Sequence, residues 1–161
     1  MDYLHDLSTF LPGLVVAVTG LITLLIESFR KGVDTIYGFT IAGLIVALVL
    51  AVQSLFGDTG IAFSGMIAYG GTAAFGTVVV LFGALFSVII SRDYLKDAQL
   101  HFGEVYAMVL FATTGMLGLA VSNDLITLFI SLETMSICLY VLAGLVKSEK
   151  TGAEAALKYF L

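Results

Sequence analysis

The chain has 161 residues, of which 60% are hydrophobic and only 12% are charged, and its formal net charge is −5 at pH 7. This charged fraction is about half that of an average soluble domain. Nucleic-acid phosphates are bound by dense Lys and Arg surfaces, so an acidic chain with seven basic residues argues against a nucleic-acid partner. One core could not bury several apolar runs of about 20 residues, so the composition predicts a protein of the lipid bilayer.

Three apolar segments occupy the first ninety residues. The first predicted transmembrane helix covers about residues 7–29, with Pro12 in its opening turns, where a missing N–H costs least. The second covers about 37–56, and the third about 74–90. Residues 61–73 stay apolar but contain three glycines, so they fit either a short interfacial segment or the start of the third helix.

The remaining segments follow one another closely. A polar hinge is predicted over residues 91–101, then a fourth helix over about 105–121 and a fifth over about 125–146. Asp124, in the short turn between these two helices, is predicted to cap the fifth. A sixth helix begins at about Ala153, and its nine residues reach about 13 Å, less than half of a hydrocarbon core. We therefore expect the chain to be part of a longer polypeptide.

These segments predict an all-α, polytopic membrane protein with five complete transmembrane helices and the start of a sixth. The distribution of basic residues predicts its orientation. Six of them lie in the connections after helices one, three and five, and none lies in the N-terminal tail or the other two connections. We therefore expect the N-terminus outside and the basic loops in the cytoplasm. The six residues are Arg30, Lys31, Arg92, Lys96, Lys147 and Lys150.

An acidic residue stands in the middle of the fifth predicted helix. Glu133 lies nine residues into it, about 12 Å from the outer end. An acid at that depth costs roughly 2.5–3.5 kcal/mol on insertion scales, so it normally faces a partner or water. Ser136, Tyr140 and Gly144 share its helical face at i+3, i+7 and i+11. This stripe predicts a hydrated functional site, the alternative being a structural hydrogen bond to a neighbouring helix.

Two further charged residues lie within apolar segments. Lys158 sits about 8 Å into the sixth helix, where it either carries function or extends its ammonium group to the interface. Its depth differs from that of Glu133 by about 12 Å if the two helices are antiparallel neighbours. A direct salt bridge is therefore not expected, although both residues fit one hydrated path. Glu27, near the inner end of the first helix, is expected at the interface.

Metal and thiol chemistry are not expected. His5 and His101 lie far apart in polar segments, and nothing supplies further ligands at metal spacing. Cys138 is the only cysteine, so the chain cannot form an internal disulfide or a thiolate cluster. We predict that it is a small packing residue. The sequence contains no phosphate loop, dinucleotide fingerprint or nucleophile elbow.

From Glu104 onward the chain contains a series of specific motifs. Residues 122–129 read S-N-D-L-I-T-L-F, residues 132–136 read L-E-T-M-S, residues 139–144 read L-Y-V-L-A-G and residues 155–161 read A-A-L-K-Y-F-L. In this order and spacing the motifs resemble subunit N of the respiratory NADH–quinone oxidoreductase, complex I (subunit 2 in mitochondria and plastids). The first hundred residues match that family in pattern only.

The resemblance implies a domain organisation. Residues 1–103 would hold the first three helices, and residues 104–161 the start of an antiporter-like, proton-translocating domain. Members of this family are about three times as long, with two inverted repeats of five helices, each containing a broken helix. The broken helix and the central lysines of the first repeat would then lie beyond Leu161.

The resemblance also implies a site. Glu133 matches the family's fifth-helix glutamate and Lys158 its sixth-helix lysine, so both are expected to translocate protons. Thr134 departs from the usual L-E-L-M-S and adds a hydroxyl beside the glutamate. Supporting polar residues on this hypothesis are Ser136, Tyr140, Glu27 and Asp124.

The function implied is that of a membrane-arm subunit of a proton-pumping NADH (or related donor)–quinone oxidoreductase. It would belong to an enzyme without holding a redox site, and quinone reduction elsewhere would drive protons along a Glu/Lys chain. The subunit is expected to bind no cofactor, with NADH, FMN, iron–sulfur clusters and quinone in other subunits. Its partners would be other membrane-arm subunits and the bilayer, in a bacterial inner membrane.

Three alternatives are kept open. The first is a subunit of a multi-subunit Na⁺/H⁺ antiporter, and the second is a subunit of a membrane-bound hydrogenase. The third is a structural transmembrane bundle without a proton path, in which Glu133 makes a packing hydrogen bond.

Overall fold

A computed structural model describes residues 3–29, 32–97 and 102–144. Within these ranges, five helices of 19 to 27 residues are long and apolar enough to cross a bilayer, which confirms the predicted fold class. The predicted sixth helix lies outside the described residues. The helices in chain order are a short α1 (Tyr3–Thr9) followed by the five long helices α2 (Leu11–Phe29), α3 (Val33–Ser54), α4 (Gly71–Asp97), α5 (Gly103–Val121) and α6 (Leu125–Ala143).

The first predicted helix is divided in two. A turn at Phe10 separates α1 from α2, so the prediction of one continuous helix over residues 7–29 is wrong at this point. Pro12 is the second residue of α2, in the turn whose N–H groups have no intrahelical acceptor, as the sequence predicted.

The predicted hinge over residues 91–101 is wrong for its first seven residues, because α4 continues to Asp97. Arg92 and Lys96, one turn apart, lie on the same face of α4, and both reach Asp34 on α3. Arg92 Nη2 lies 2.8 Å and Lys96 Nζ 3.4 Å from Asp34 Oδ1. The Arg92 guanidinium also lies 4.5 Å from the centre of the Tyr37 ring. These contacts with α3 stabilise the helical conformation of the polar end of α4.

A β-hairpin connects α3 to α4. Its strands, β1 (Gly60–Ala62) and β2 (Ile67–Tyr69), pair antiparallel with Gly60 opposite Tyr69. A 3₁₀ turn joins the strands, and Ser64 in this turn has φ of 55°. Residues 61–73 were expected to form either a short interfacial segment or the start of the third helix. The helix begins only at Gly71, and the residues before it belong to the hairpin. The hairpin itself was not predicted, because its strands are only three residues long.

The hairpin is attached to the turn between α5 and α6. The Asn123 backbone N–H donates to the Met66 carbonyl at 2.8 Å, and Asn123 Nδ2 donates to the Gly65 carbonyl at 2.7 Å. Ile67 and Ser122 form an isolated antiparallel bridge. We call this end of the bundle the hairpin end, and the opposite end the Asp34 end.

Helix α5 is the centre of the bundle. It packs against α2, α3, α4 and α6, and 56% of its span is buried. By contrast, only 11% of the span of α6 is buried by the described residues. The core therefore lies among α2 to α5, while α6 is attached to it along one side. The largest fully buried side chains are Tyr106, Ile36, Leu44, Leu81, Leu110 and Leu117.

Candidate functional site

Two glycines of α5 fix the rotation of α6 about its axis. A Cβ at Gly115 would lie 2.6 Å from the Met135 backbone nitrogen, and a Cβ at Gly118 would collide with Ser131 Oγ. The two helices therefore approach closely through Ser131 and Met135. Cys138, one turn further along the same face, is buried, as its predicted packing role requires.

Glu133 consequently lies on the opposite side of α6. It follows Ser131 by two residues, which turns its side chain about 200° around the helix axis. It is half-buried, and no described residue donates a hydrogen bond to its carboxylate. Ser136 and Tyr140 lie on the same side, as the helical spacing predicted, and both are half-buried.

The depth of Glu133 also agrees with the sequence analysis. It is the ninth of the 19 residues of α6, about 12 Å from the start of a helix about 28 Å long. Large apolar side chains surround it on the same exposed face, including Phe129 at 61% and Ile137 at 56% exposure. The arrangement is therefore a single acid in the middle of an apolar face that the described part of the bundle leaves uncovered.

Thr134, the residue that departs from the family motif, does not join the Glu133 carboxylate. Its hydroxyl donates to the Ile130 carbonyl of its own helix at 2.8 Å. Lys158, the other predicted proton-translocating residue, lies outside the described residues. Its relation to Glu133 stays a prediction.

Asp124 caps α6, as predicted. Its carboxylate accepts a hydrogen bond from the Thr127 backbone N–H at 2.6 Å. This backbone hydrogen bond is the main reason that the pKa of Asp124 lies below its ordinary value of 3.8. Asp124 precedes Glu133 by nine residues, which places it about 13 Å away along the helix. Asp124 therefore lies at the hairpin end of the bundle. Its supporting role in proton movement stays a prediction.

Glu27 lies at the Asp34 end of α2, far from Glu133 in the bundle. Its carboxylate packs against Gly103 at the start of α5, and a Cβ there would collide with Glu27 Oε2. The side chain also lines an open cleft of about 610 Å³, shared with Ser28, Phe102 and Glu104. The sequence analysis singled out Glu27 but missed Glu104, because only the contact between α2 and α5 brings the two together.

The ion cluster formed by Asp34, Arg92 and Lys96 is a second group that the sequence did not reveal. The two cations were predicted to be loop residues, and nothing connected them with Asp34, 58 residues away from Arg92. The cluster is half-exposed and links α3 to α4. Among the described residues, no group of three or more His, Cys, Asp or Glu side chains could hold a metal ion.

Together these features define a multi-pass helical membrane protein with a carboxylate in the middle of one span. Residues 122–161 match the family described as NADH:quinone oxidoreductase/Mrp antiporter, TM. The chain is 35% identical, over 97% of its length, to NADH-quinone oxidoreductase subunit N of Salinibacter ruber, and 37% identical, also over 97%, to that of Chloroflexus aggregans. These matches confirm the resemblance to subunit N.

A solved structure agrees with the sequence matches. The chain superposes on a chain of respiratory complex I from Thermus thermophilus with bound aureothin, with a TM-score of 0.75 and 30% identity over 92% of this chain. It covers 32% of that chain, and 34% and 32% of the two relatives from Salinibacter and Chloroflexus. It thus spans about a third of the length of the relatives that it matches.

Proposed function

We propose that this chain is part of a membrane-arm subunit of a proton-pumping NADH–quinone oxidoreductase, and that Glu133 carries protons within it. The observation that carries the proposal is the position of Glu133, in mid-span on the side of α6 that faces away from α5. The names of the relatives, which match over nearly the whole chain, supply the class of complex.

The physical basis is the dependence of a mid-membrane carboxylate on a nearby charge. A carboxylate in a medium of low dielectric constant is ionised when a cation approaches and binds a proton when that cation retreats. Lys158, which matches the family's sixth-helix lysine, is our candidate for a cation on the same path. Quinone reduction elsewhere in the complex would drive the charge movement. Ser136 and Tyr140, on the side of α6 that carries Glu133, would hydrogen-bond the water that delivers the proton.

The proposal also covers the membrane in which the subunit lies and the subunits that it contacts. The subunit would lie in a bacterial inner membrane with the hairpin end outside and the Asp34 end, with its basic residues, in the cytoplasm. It would contact other membrane-arm subunits. NADH, FMN, iron–sulfur clusters and quinone would bind in other subunits, so this chain would contribute to the enzyme without a redox site of its own.

The test is a Glu133→Gln variant of the full-length subunit in the assembled complex. We expect NADH-driven proton pumping in inverted membrane vesicles to fall by about tenfold or more, because a group that carries protons is lost. Assembly would be largely unchanged. Thr134→Val is the matched control, since the Thr134 hydroxyl is bonded to its own helix, and it is expected to pump normally. Normal pumping by an assembled Glu133→Gln complex would instead support the structural bundle.

A second candidate is a subunit of a multi-subunit Na⁺/H⁺ antiporter. The specific observation in its favour is that the family matched by residues 122–161 includes the Mrp antiporters by its description. Vesicles distinguish the two functions, since an antiporter exchanges Na⁺ for H⁺ without NADH. NADH-dependent pumping with no Na⁺-driven exchange would exclude it.

A further inference from the structure

Three buried side-chain oxygens lie without a hydrogen-bond partner where α2, α3 and α5 meet. They are Thr23 Oγ1, Thr40 Oγ1 and Glu27 Oε2, and no described residue bonds to any of them. The Thr23 and Thr40 side chains are completely buried. Buried polar atoms are rarely left unpaired in proteins, so three in one region indicate a ligand that supplies the hydrogen bonds.

Helical spacing places the three residues near one contact between the antiparallel helices α2 and α3. Thr19 of α2 packs against Gly43 of α3. Thr23 lies four residues after Thr19 and Thr40 three residues before Gly43, so their levels differ by only about 1.5 Å. Glu27 lies one turn beyond Thr23 on the same face of α2.

Helix α5 closes this region. Glu27 Oε2 and Ile36 Cδ1 both pack against Gly103. A Cβ added at Gly103 would lie 2.7 Å from Ile36 Cδ1 and would collide with Glu27 Oε2. Ile36 precedes Thr40 by one turn on α3. Thus Thr23 and Glu27 on α2 and Thr40 on α3 belong to faces that converge on the start of α5. We call these three residues the threonine–glutamate seam.

Other buried threonines of the bundle behave differently. The hydroxyls of Thr19, Thr77 and Thr113 each donate to the carbonyl four residues earlier, at 2.7, 2.9 and 2.7 Å. Thr23 and Thr40 make no such bond. Their hydroxyls therefore remain available, and the Glu27 carboxylate supplies a strong acceptor beside them.

We propose that the threonine–glutamate seam binds water, and that this water connects the buried oxygen of Glu27 with the cleft shared by Glu27 and Glu104. Water matches the chemistry of these groups because a buried water molecule makes two to four hydrogen bonds, and it can accept from a hydroxyl while donating to a carboxylate. The seam would be a hydrated site at the Asp34 end, separate from Glu133.

Such a site would also exchange protons with the surface. A hydronium ion in the cleft would transfer a proton to the Glu27 carboxylate, which becomes a carboxylic acid and leaves a water molecule. The use of this exchange in pumping rests on the proposed function, whereas the binding of water does not.

The first test is a density map of the assembled complex at a resolution that places single water molecules. We expect water density within hydrogen-bond distance of Thr23 Oγ1, Thr40 Oγ1 and Glu27 Oε2. The Thr23→Val/Thr40→Val double variant removes both hydroxyls with little change in shape and is expected to lose this density. Thr77→Val, with a hydroxyl bonded to its own helix, is the control and should keep it. A dry seam, or protein groups bonded to all three oxygens, would overturn the proposal.

The second test measures NADH-driven pumping in the same variants. If the seam supplies protons for pumping, the Thr23→Val/Thr40→Val double variant pumps fewer protons per NADH than Thr77→Val. Equal pumping by the two variants would overturn the use of the seam in pumping. The water density of the first test does not depend on the role of Glu133. Water in the seam together with normal pumping by Glu133→Gln would contradict the proposed function and leave the water site standing.

Discussion

Helix α6 begins where the Asp124 carboxylate accepts the Thr127 backbone N–H. This single contact pairs one of the N–H groups that the first turn of a helix leaves without an acceptor. Because Glu133 lies on the same helix, the cap helps to fix the level at which the acid stands. At the scale of single residues, the cap and the acid were both identified from the sequence, since each depends on local spacing.

We predict that this cap depends on pH in one direction. The folded state lowers the pKa of Asp124, so the cap contributes stability above the ordinary carboxyl value of 3.8 and loses it as pH falls through the lowered pKa. Protection of the Thr127 amide from hydrogen exchange, normalised to intrinsic rates, should therefore decrease as pH falls from about 3.8 through the lowered pKa of Asp124. Asp124→Asn, which keeps an acceptor but cannot ionise, should remove this dependence. A pH-independent wild type would contradict the prediction.

At the scale of elements, the contact between α5 and α6 decides where Glu133 points. Gly115 lies against backbone atoms of Ser131 and Met135, which cannot move away without shifting the helix. Gly118 lies against the Ser131 side chain, which has other rotamers. Both residues are glycines of α5, and only the α6 atoms that they contact differ.

This difference predicts unequal effects of alanine. Gly115→Ala should destabilise the bundle by about 1–3 kcal/mol, because the added Cβ overpacks the interface, and Gly118→Ala should cost less. Gly83→Ala, with nothing within 4 Å of the added Cβ, should be neutral or stabilising by up to about 1 kcal/mol, since alanine favours a helix. Thermal unfolding of the purified protein measures all three. Equal losses at Gly115 and Gly118 would disprove the assigned contact.

At the scale of the whole molecule, two sets of polar contacts hold opposite ends of the bundle. At the hairpin end, Asn123 joins the α5–α6 turn to the hairpin. At the Asp34 end, Arg92 and Lys96 join α4 to α3. Since α6 is little buried by the described residues, it is held to the bundle by its contacts with α5 and by the bonds between the turn before it and the hairpin.

We predict that Asn123→Ala loosens the hairpin without unfolding the bundle. The variant removes the bond to the Gly65 carbonyl, worth about 0.5–1.5 kcal/mol, while the backbone bond to Met66 remains. Hydrogen exchange over residues 60–69 should become faster, with little change in α2 or α4. Gln53→Ala removes an exposed amide near the same end and serves as the control. Unchanged exchange in Asn123→Ala would show that the side-chain bond contributes nothing.

The sequence by itself determined the number of spans in the described residues, their approximate limits, the cap at Asp124 and the depth of Glu133. All of these follow from hydropathy and local spacing, which act between residues close together in the chain. Tertiary structure decided the hairpin, the continuation of α4 to Asp97 and the side of α6 on which Glu133 lies. The last two depend on contacts between distant residues, Asp34 with Arg92 and Gly115 with Met135, and the short hairpin is joined to Asn123, 58 residues after Gly65. No local pattern in the chain specifies such pairs.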